Sequence, residues 1–180
     1  MNNILFIDTC NSRLVLSLII ENKIIDILYF KTNKNMTEIF NNQIDIFLKK
    51  NNFDKKNVNK IYVLNGPGSF VGIKVGLVFT NLFVSLNNSK IYYLDVCSFQ
   101  KTNEKQISII DARGKLYYCK LDNNEIALET IEKINDIAKQ NKYEILDNSE
   151  NYIFEECWNY NKNKFIEVKE VTGNYVKKAI

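Results

Sequence analysis

Apolar residues come in two rhythms along this chain. Residues 4–8 form an apolar run ending on Asp8, the pattern of a strand buried on both faces. Residues 13–20 and 23–30 are two β-rich runs separated by Glu21-Asn22, which predicts a hairpin. From Met36 to Lys50 the spacing becomes helical. Phe40, Ile44, Phe47 and Leu48 make the main stripe, with Ile39 and Ile46 as a second apolar edge. A polar linker over 51–59 leads to a strand over 60–64. A glycine-rich loop follows, then a long apolar segment over 75–86 that predicts a second helix, then a short strand over 90–94. The first hundred residues therefore read β-β-β-α-β-α-β.

A polar stretch over 100–106 marks a boundary. Beyond it, 107–111 and 115–121 predict a hairpin around Ala112-Arg113-Gly114, followed by a strand over 125–128 and a helix over 129–142. This half repeats the opening theme, a strand ending in aspartate and then a hairpin, on a smaller scale. Duplicated halves of this kind resemble a two-lobed actin-like α/β fold. The first lobe would cover 1–99 and a reduced second lobe 100–180.

The second helix is unusual around its circumference. Lys74, Asn81 and Ser85 fall on one narrow polar stripe, and Gly72, Gly76 and Thr80 form a small-residue stripe spaced by four. Leu77, Val78, Phe79, Leu82, Phe83, Val84 and Leu86 cover most of the rest. A surface helix needs only a ~100° apolar arc. The excess fits either burial inside one chain or a docking surface for a partner. The expected docking residues are Ile39, Phe40 and Ile46 from the first helix. Phe70, Ile73, Lys74, Leu77 and Asn81 join them from the second, with Phe70 and Phe40 as aromatic anchors.

Composition removes many chemistries. The chain has no histidine, so it lacks the commonest general base, the commonest metal ligand and any Ser-His or Cys-His pair. Cys10, Cys97, Cys119 and Cys157 are far apart and form no Cys-x-x-Cys, which argues against zinc and a redox motif and for free thiols in a reducing cytosol. A net charge of +3 is too small for a polycation built around nucleic acid. No basic n-region with a long apolar core opens the sequence, so no signal peptide is expected. Thr80, Asn81 and Ser85 interrupt the apolar segment and argue against a membrane span.

The glycine loop is the most tightly specified stretch. Asn65-Gly66-Pro67-Gly68-Ser69-Phe70-Val71-Gly72-Ile73-Lys74-Val75-Gly76 holds four of the six glycines and the only proline. Strand, glycine turn, helix can present N–H groups to an anion or let a helix pack closely on a neighbour. It is not a P-loop, since the Lys-Ser/Thr pair is absent. In actin-like ATPases a strand-end aspartate helps hold the metal and a glycine turn holds phosphates. Here Asp8 is followed by Thr9-Cys10-Asn11-Ser12 without glycine, and Asp111 by a turn whose glycine, Gly114, comes late. Both aspartates read first as turn caps. With Arg113 they outline at most a vestigial nucleotide site.

The loop Gly66-Pro67-Gly68-Ser69-Phe70-Val71-Gly72-Ile73-Lys74-Val75-Gly76 resembles the Gly-Pro-Gly-Ser-Phe-Thr-Gly-Leu-Arg-x-Gly signature of the TsaB (YeaZ) family. Val71 stands for threonine and Lys74 for arginine. The opening Ile-Leu-x-Ile-Asp-Thr is similar too, as are the hairpin from Ile110 to Tyr117 and, faintly, Tyr175-Val176-Lys177 near the end. The family's His-Ser before the first helix is replaced by Asn35-Met36-Thr37. Residues 122–180 match poorly.

This resemblance implies an actin-like (ASKHA) fold with a decayed ATP site. It implies a non-catalytic, cytoplasmic scaffold subunit in tRNA threonylcarbamoyladenosine biosynthesis. Its first two helices would bind the catalytic TsaD subunit, with the TsaE ATPase joining and tRNA engaged through the complex. No metal, no cofactor of its own and no membrane are implied. ATP or ADP at a shared interface and a weak homodimer stay open. The rival reading is an actin-like or sugar-kinase-type enzyme binding ATP through Asp8 and Asp111.

Overall fold

The computed structural model describes residues 2–32, 35–121, 125–147 and 151–175. The first strand, β1 (Asn3–Asp8), is buried throughout and lies near the middle of a six-stranded sheet. It pairs antiparallel with β2 (Arg13–Ile20), which pairs antiparallel with β3 (Lys23–Lys31). Glu21 and Asn22 both take positive φ, 48° and 66°, the two-residue turn that suits a twisted hairpin. On its other side β1 pairs in parallel with β4 (Lys60–Leu64), and β4 with β5 (Lys90–Leu94).

Two helices pack together against this sheet, α1 (Met36–Lys50) and α2 (Phe70–Asn87). The stripe read from the sequence is the buried one in α1: Phe40, Ile44, Phe47 and Leu48. Phe40 meets Phe79 edge-on at 5.2 Å between ring centres. The expected linker over 51–59 contains a short 3-10 turn, Lys55–Asn57, capped by Asp54.

A second sheet is built from β6 (Gln106–Asp111), β7 (Leu116–Lys120), β8 (Ile126–Thr130) and β9 (Glu144–Leu146), in the order β8-β7-β6-β9. The predicted helix over 129–142 runs Ile131–Asn141, called α4 below. Thr130 ends the strand and caps the helix, its hydroxyl accepting from Lys133 N–H. Ile134 and Ala138 close a small core with Ile107, Ile109 and Cys119.

The expected boundary near residue 100 needs correcting at the C-terminal end. Residues assigned to the second lobe return to the first sheet. One short helix, α3 (Val96–Phe99), precedes the boundary; another, α5 (Phe154–Asn161), and a strand, β10 (Ile166–Val168), follow the second sheet. β10 pairs antiparallel with β5 at the edge of the first sheet. Phe6 of β1 packs against Phe99, Phe154 and Trp158, at 5.0, 4.8 and 6.3 Å between ring centres. The first lobe thus needs residues 152–171 to complete its core, which the polar stretch at 100–106 gave no reason to expect.

Candidate functional site

Asp8 ends β1 and is fully buried. Cys10 N–H donates to its Oδ1 at 2.8 Å, and the Tyr152 hydroxyl donates to its Oδ2 at 2.7 Å. Both carboxylate oxygens are therefore engaged within the chain. Burial raises its pKa, against the two hydrogen bonds and nearby Arg13, which lower it. Arg13 Nη2 donates to the Tyr152 carbonyl at 2.8 Å, and its guanidinium lies 4.8 Å from the Tyr29 ring centre and 4.7 Å from that of Tyr152.

The glycine loop presses on the turn after Asp8. Ser69 N–H donates to the Cys10 carbonyl at 2.6 Å, and Ser69 Oγ caps α2 by accepting from Gly72 N–H at 3.3 Å. A Cβ on Gly72 would run into the Thr9 carbonyl, and one on Gly76 into the Thr9 side chain, both far inside contact distance. A Cβ on Gly68 would meet the Cys10 carbonyl. Of the two uses open to a strand–glycine–helix motif, the structure takes close packing. The start of α2 lies directly against Thr9 and Cys10 of that turn.

The C-terminal segment seals the same region. Asn174 N–H donates to the Asn65 carbonyl at 2.7 Å, and Asn65 Nδ2 donates to the Thr172 carbonyl at 3.1 Å. Asn81 Nδ2 donates to the Val171 carbonyl and Asn81 Oδ1 accepts from Val171 N–H, both at 3.0 Å. Gly66 and Pro67 are buried beneath this segment. Phe70 packs against Tyr175 with tilted rings at 5.2 Å between centres and lies under Lys74 Nζ at 4.3 Å. Val176 and Lys177 lie outside the described residues.

Asp111 differs from Asp8. It is exposed, and its Oδ1 accepts from Arg113 N–H at 2.7 Å, capping its own turn. Both aspartates serve as the turn caps that their residue type suggested, and the two sit in opposite environments. Among the described residues no group of three or more His, Cys, Asp or Glu could hold a metal. All four cysteines are buried and free. Burial pushes the Cys119 thiol up to about 11 and the Cys157 thiol up to about 12.

An apolar groove of about 610 Å³ runs between α1 and α2. Phe40 and Ile44 line it from α1, and Val78, Phe79, Leu82 and Leu86 from α2. Val78 and Leu82 are each 58% exposed and Leu86 is 82% exposed. Of the expected docking set, Phe40 and Lys74 line this groove. Three members need correction: Ile73 and Leu77 are core residues, because the side of α2 that carries the glycine stripe turns them inward, and Phe40 of α1 is buried against Phe79 where it lines the groove. Asn81 is occupied by Val171. Ile46 is exposed and Ile39 partly so, and neither lines the groove. The exposed stripe Val78, Leu82, Leu86 was visible as a spacing of four. Among the described residues α2 is also the one helix long and apolar enough to cross a membrane, with mean hydropathy 1.5. Its glycine side is packed on Thr9.

Two sheets joined through a shared core, with an aspartate ending a strand in each, define an actin-like α/β protein of the ASKHA type. The family described as "TsaD: tRNA N6-adenosine threonylcarbamoyltransferase" matches residues 30–169, and the chain belongs to that family. The likeness to TsaB (YeaZ) read from the glycine loop holds in the structure. YeaZ from Pseudomonas aeruginosa superposes with a TM-score of 0.61 at 17% identity, over 72% of this chain and 65% of that one. A second Pseudomonas aeruginosa structure, an uncharacterized protein with similarity to peptidase YEAZ, gives the same TM-score over 64% of its length. In sequence, the uncharacterized protein MG208 of Mycoplasma genitalium is 30% identical over 73% of this chain and 71% of its own length. Its Mycoplasma pneumoniae homolog is 32% identical over 59% of this chain, which spans 57% of that relative's length.

Proposed function

We propose that the chain is a non-catalytic subunit of the machinery that installs N6-threonylcarbamoyladenosine next to the tRNA anticodon. It docks a catalytic TsaD-type subunit and supports it, and a TsaE-type ATPase and tRNA join through the complex in the cytoplasm. The observation that carries this reading is the sealed turn after Asp8. Its carboxylate is capped by Cys10 and Tyr152, and Gly72 and Gly76 bring α2 onto Thr9. An ATP-using enzyme working through Asp8 and Asp111 would need that turn open. The absence of histidine supports the non-catalytic part of this reading, and the match to the TsaD family supports a place in tRNA threonylcarbamoyladenosine modification.

The docking surface in this reading is the α1–α2 groove, with Leu82 near its centre and Lys74 at its rim. Without the partner, the same groove pairs weakly with a second copy. Leu82 is exposed, so Leu82→Asp should leave the fold intact. If the position is desolvated in the complex, the charge costs several kcal/mol of association, at least ~3 kcal/mol. Mixing each purified protein with the TsaD-type subunit and following the complex by gel filtration and calorimetry tests this. Wild type should associate and the variant should not. Normal association by a folded Leu82→Asp protein would remove the groove as the interface. ATP turnover by the pure chain that disappears in Asp8→Ala would remove the scaffold reading itself.

A further inference from the structure

Arginine is almost absent from this chain: of 24 Lys plus Arg, only Arg13 and Arg113 are arginine. A guanidinium offers a planar, two-toothed donor geometry that a lysine ammonium does not. Arg13 uses its guanidinium inside the fold, hydrogen-bonded to Tyr152 and held between two tyrosine rings. Arg113 has no such use. It is exposed at the β6–β7 tip, and its guanidinium makes no hydrogen bond, ion pair or ring contact among the described residues. The neighbouring carboxylate, Asp111, spends its Oδ1 on the Arg113 backbone N–H.

The tip is held in an uncommon shape. Arg113, Gly114 and Lys115 take φ of 64°, 69° and 63°, three left-handed residues in a row, two of them not glycine. Ala112 N–H donates to the Leu116 carbonyl at 2.9 Å, closing the turn beneath them. Lys115 is exposed as well. A Cβ built on Gly114 meets nothing within 4 Å, so the tip is convex and open.

We infer that the Arg113–Lys115 tip is a contact point for the phosphate backbone of RNA. This rests on the proposed role in tRNA modification and adds a direct contact from this chain. An exposed guanidinium and an exposed ammonium two residues apart on one tip both suit phosphate oxygens. A convex tip reaches an extended polyanion, whereas a free nucleotide needs a concave pocket to bury its base.

The test is binding of a labelled, unmodified tRNA transcript to the full chain, alone and with its catalytic partner, across a salt series. Arg113→Ala/Lys115→Ala is expected to weaken binding about five- to tenfold and to flatten the salt dependence by about one to two contacts. Melting temperature and partner association should stay at wild-type values. Arg113→Lys keeps the charge and loses the fork; it should retain the salt slope and bind about two- to threefold more weakly. Equal tRNA binding by wild type and the double variant, with assembly intact, overturns this inference and leaves the scaffold reading standing. So does a double variant that keeps tRNA but loses the partner, since the tip would then be a protein contact. A loss confined to ATP binding overturns it in favour of a nucleotide site. An Arg113→Lys protein identical to wild type overturns the forked contact. Failure of the wild-type chain to associate with the catalytic partner, by contrast, sinks the proposed function.

Discussion

Asp8 carries a cost that its surroundings only partly offset. Burial raises its pKa in the folded chain, and the bonds from Cys10 and Tyr152 and the nearby Arg13 pull it back incompletely. A carboxyl whose folded pKa lies above its unfolded value stabilises most at low pH, and loses that contribution as pH rises through the folded value. Asp8→Asn removes the titration. It keeps an Oδ1 acceptor for Cys10 N–H and offers an amide to the Tyr152 hydroxyl. Its stability should therefore gain on wild type as pH rises from about 4, the ordinary carboxyl value, through the raised folded value. Urea midpoints measured across that range check it; parallel curves for the two proteins would contradict the argument. The capping role itself was readable, because the turn after Asp8 has no glycine to receive a phosphate. The second cap was not. Tyr152 lies 144 residues away, in a stretch with no periodicity pointing toward β1.

At the scale of elements, α2 decides the site. Its glycine stripe was legible as spacing, and the structure supplies the reason: the helix backbone rests against Thr9. Gly72→Leu and Gly76→Leu should each overpack this contact at or beyond the usual 1–3 kcal/mol, roughly. That lowers the melting temperature by about 5–10 °C, at about 2–4 °C per kcal/mol for a chain of this size. Melting temperatures within a degree of wild type would show that the close approach is not needed. Which of the remaining apolar residues face water was not legible. Leu77 and Val78 are adjacent and alike in type, yet Leu77 is 5% exposed and Val78 58% exposed. Helix rotation is set by where the glycines touch Thr9 in the turn after β1, and composition around a nearly all-apolar helix cannot report that. For this reason a charge at Leu77 would probe the core, and Leu82 is the position that probes docking.

The whole molecule is held by segments that the order of residues separates. The strands and hairpins of the first hundred residues follow from local apolar runs and the turn residues between them, and so were readable. The return of α5 and β10 was hidden, because short elements with mixed composition carry little periodic signal. That return ties the lobes together. Lys120 of β7 reaches Asp95 at 2.8 Å and Ser98 at 2.9 Å, bridging the second sheet to the cap of α3. Ile110 and Tyr118 of the second sheet and Ala112 of the turn between β6 and β7 pack in the same core as Phe6 and Trp158. Two lobes sharing one core should unfold as one unit. Trp158, the only tryptophan, reports on the first sheet and its C-terminal cover, while far-UV circular dichroism reports on both sheets. The two signals should trace a single coincident transition in denaturant. Phe154→Ala, which empties the centre of the aromatic cluster, should destabilise by about 3–5 kcal/mol and shift both signals together. A fluorescence transition that moves in this variant while part of the dichroism signal stays in place would mean that the second sheet folds on its own, and that the shared core does not couple the lobes.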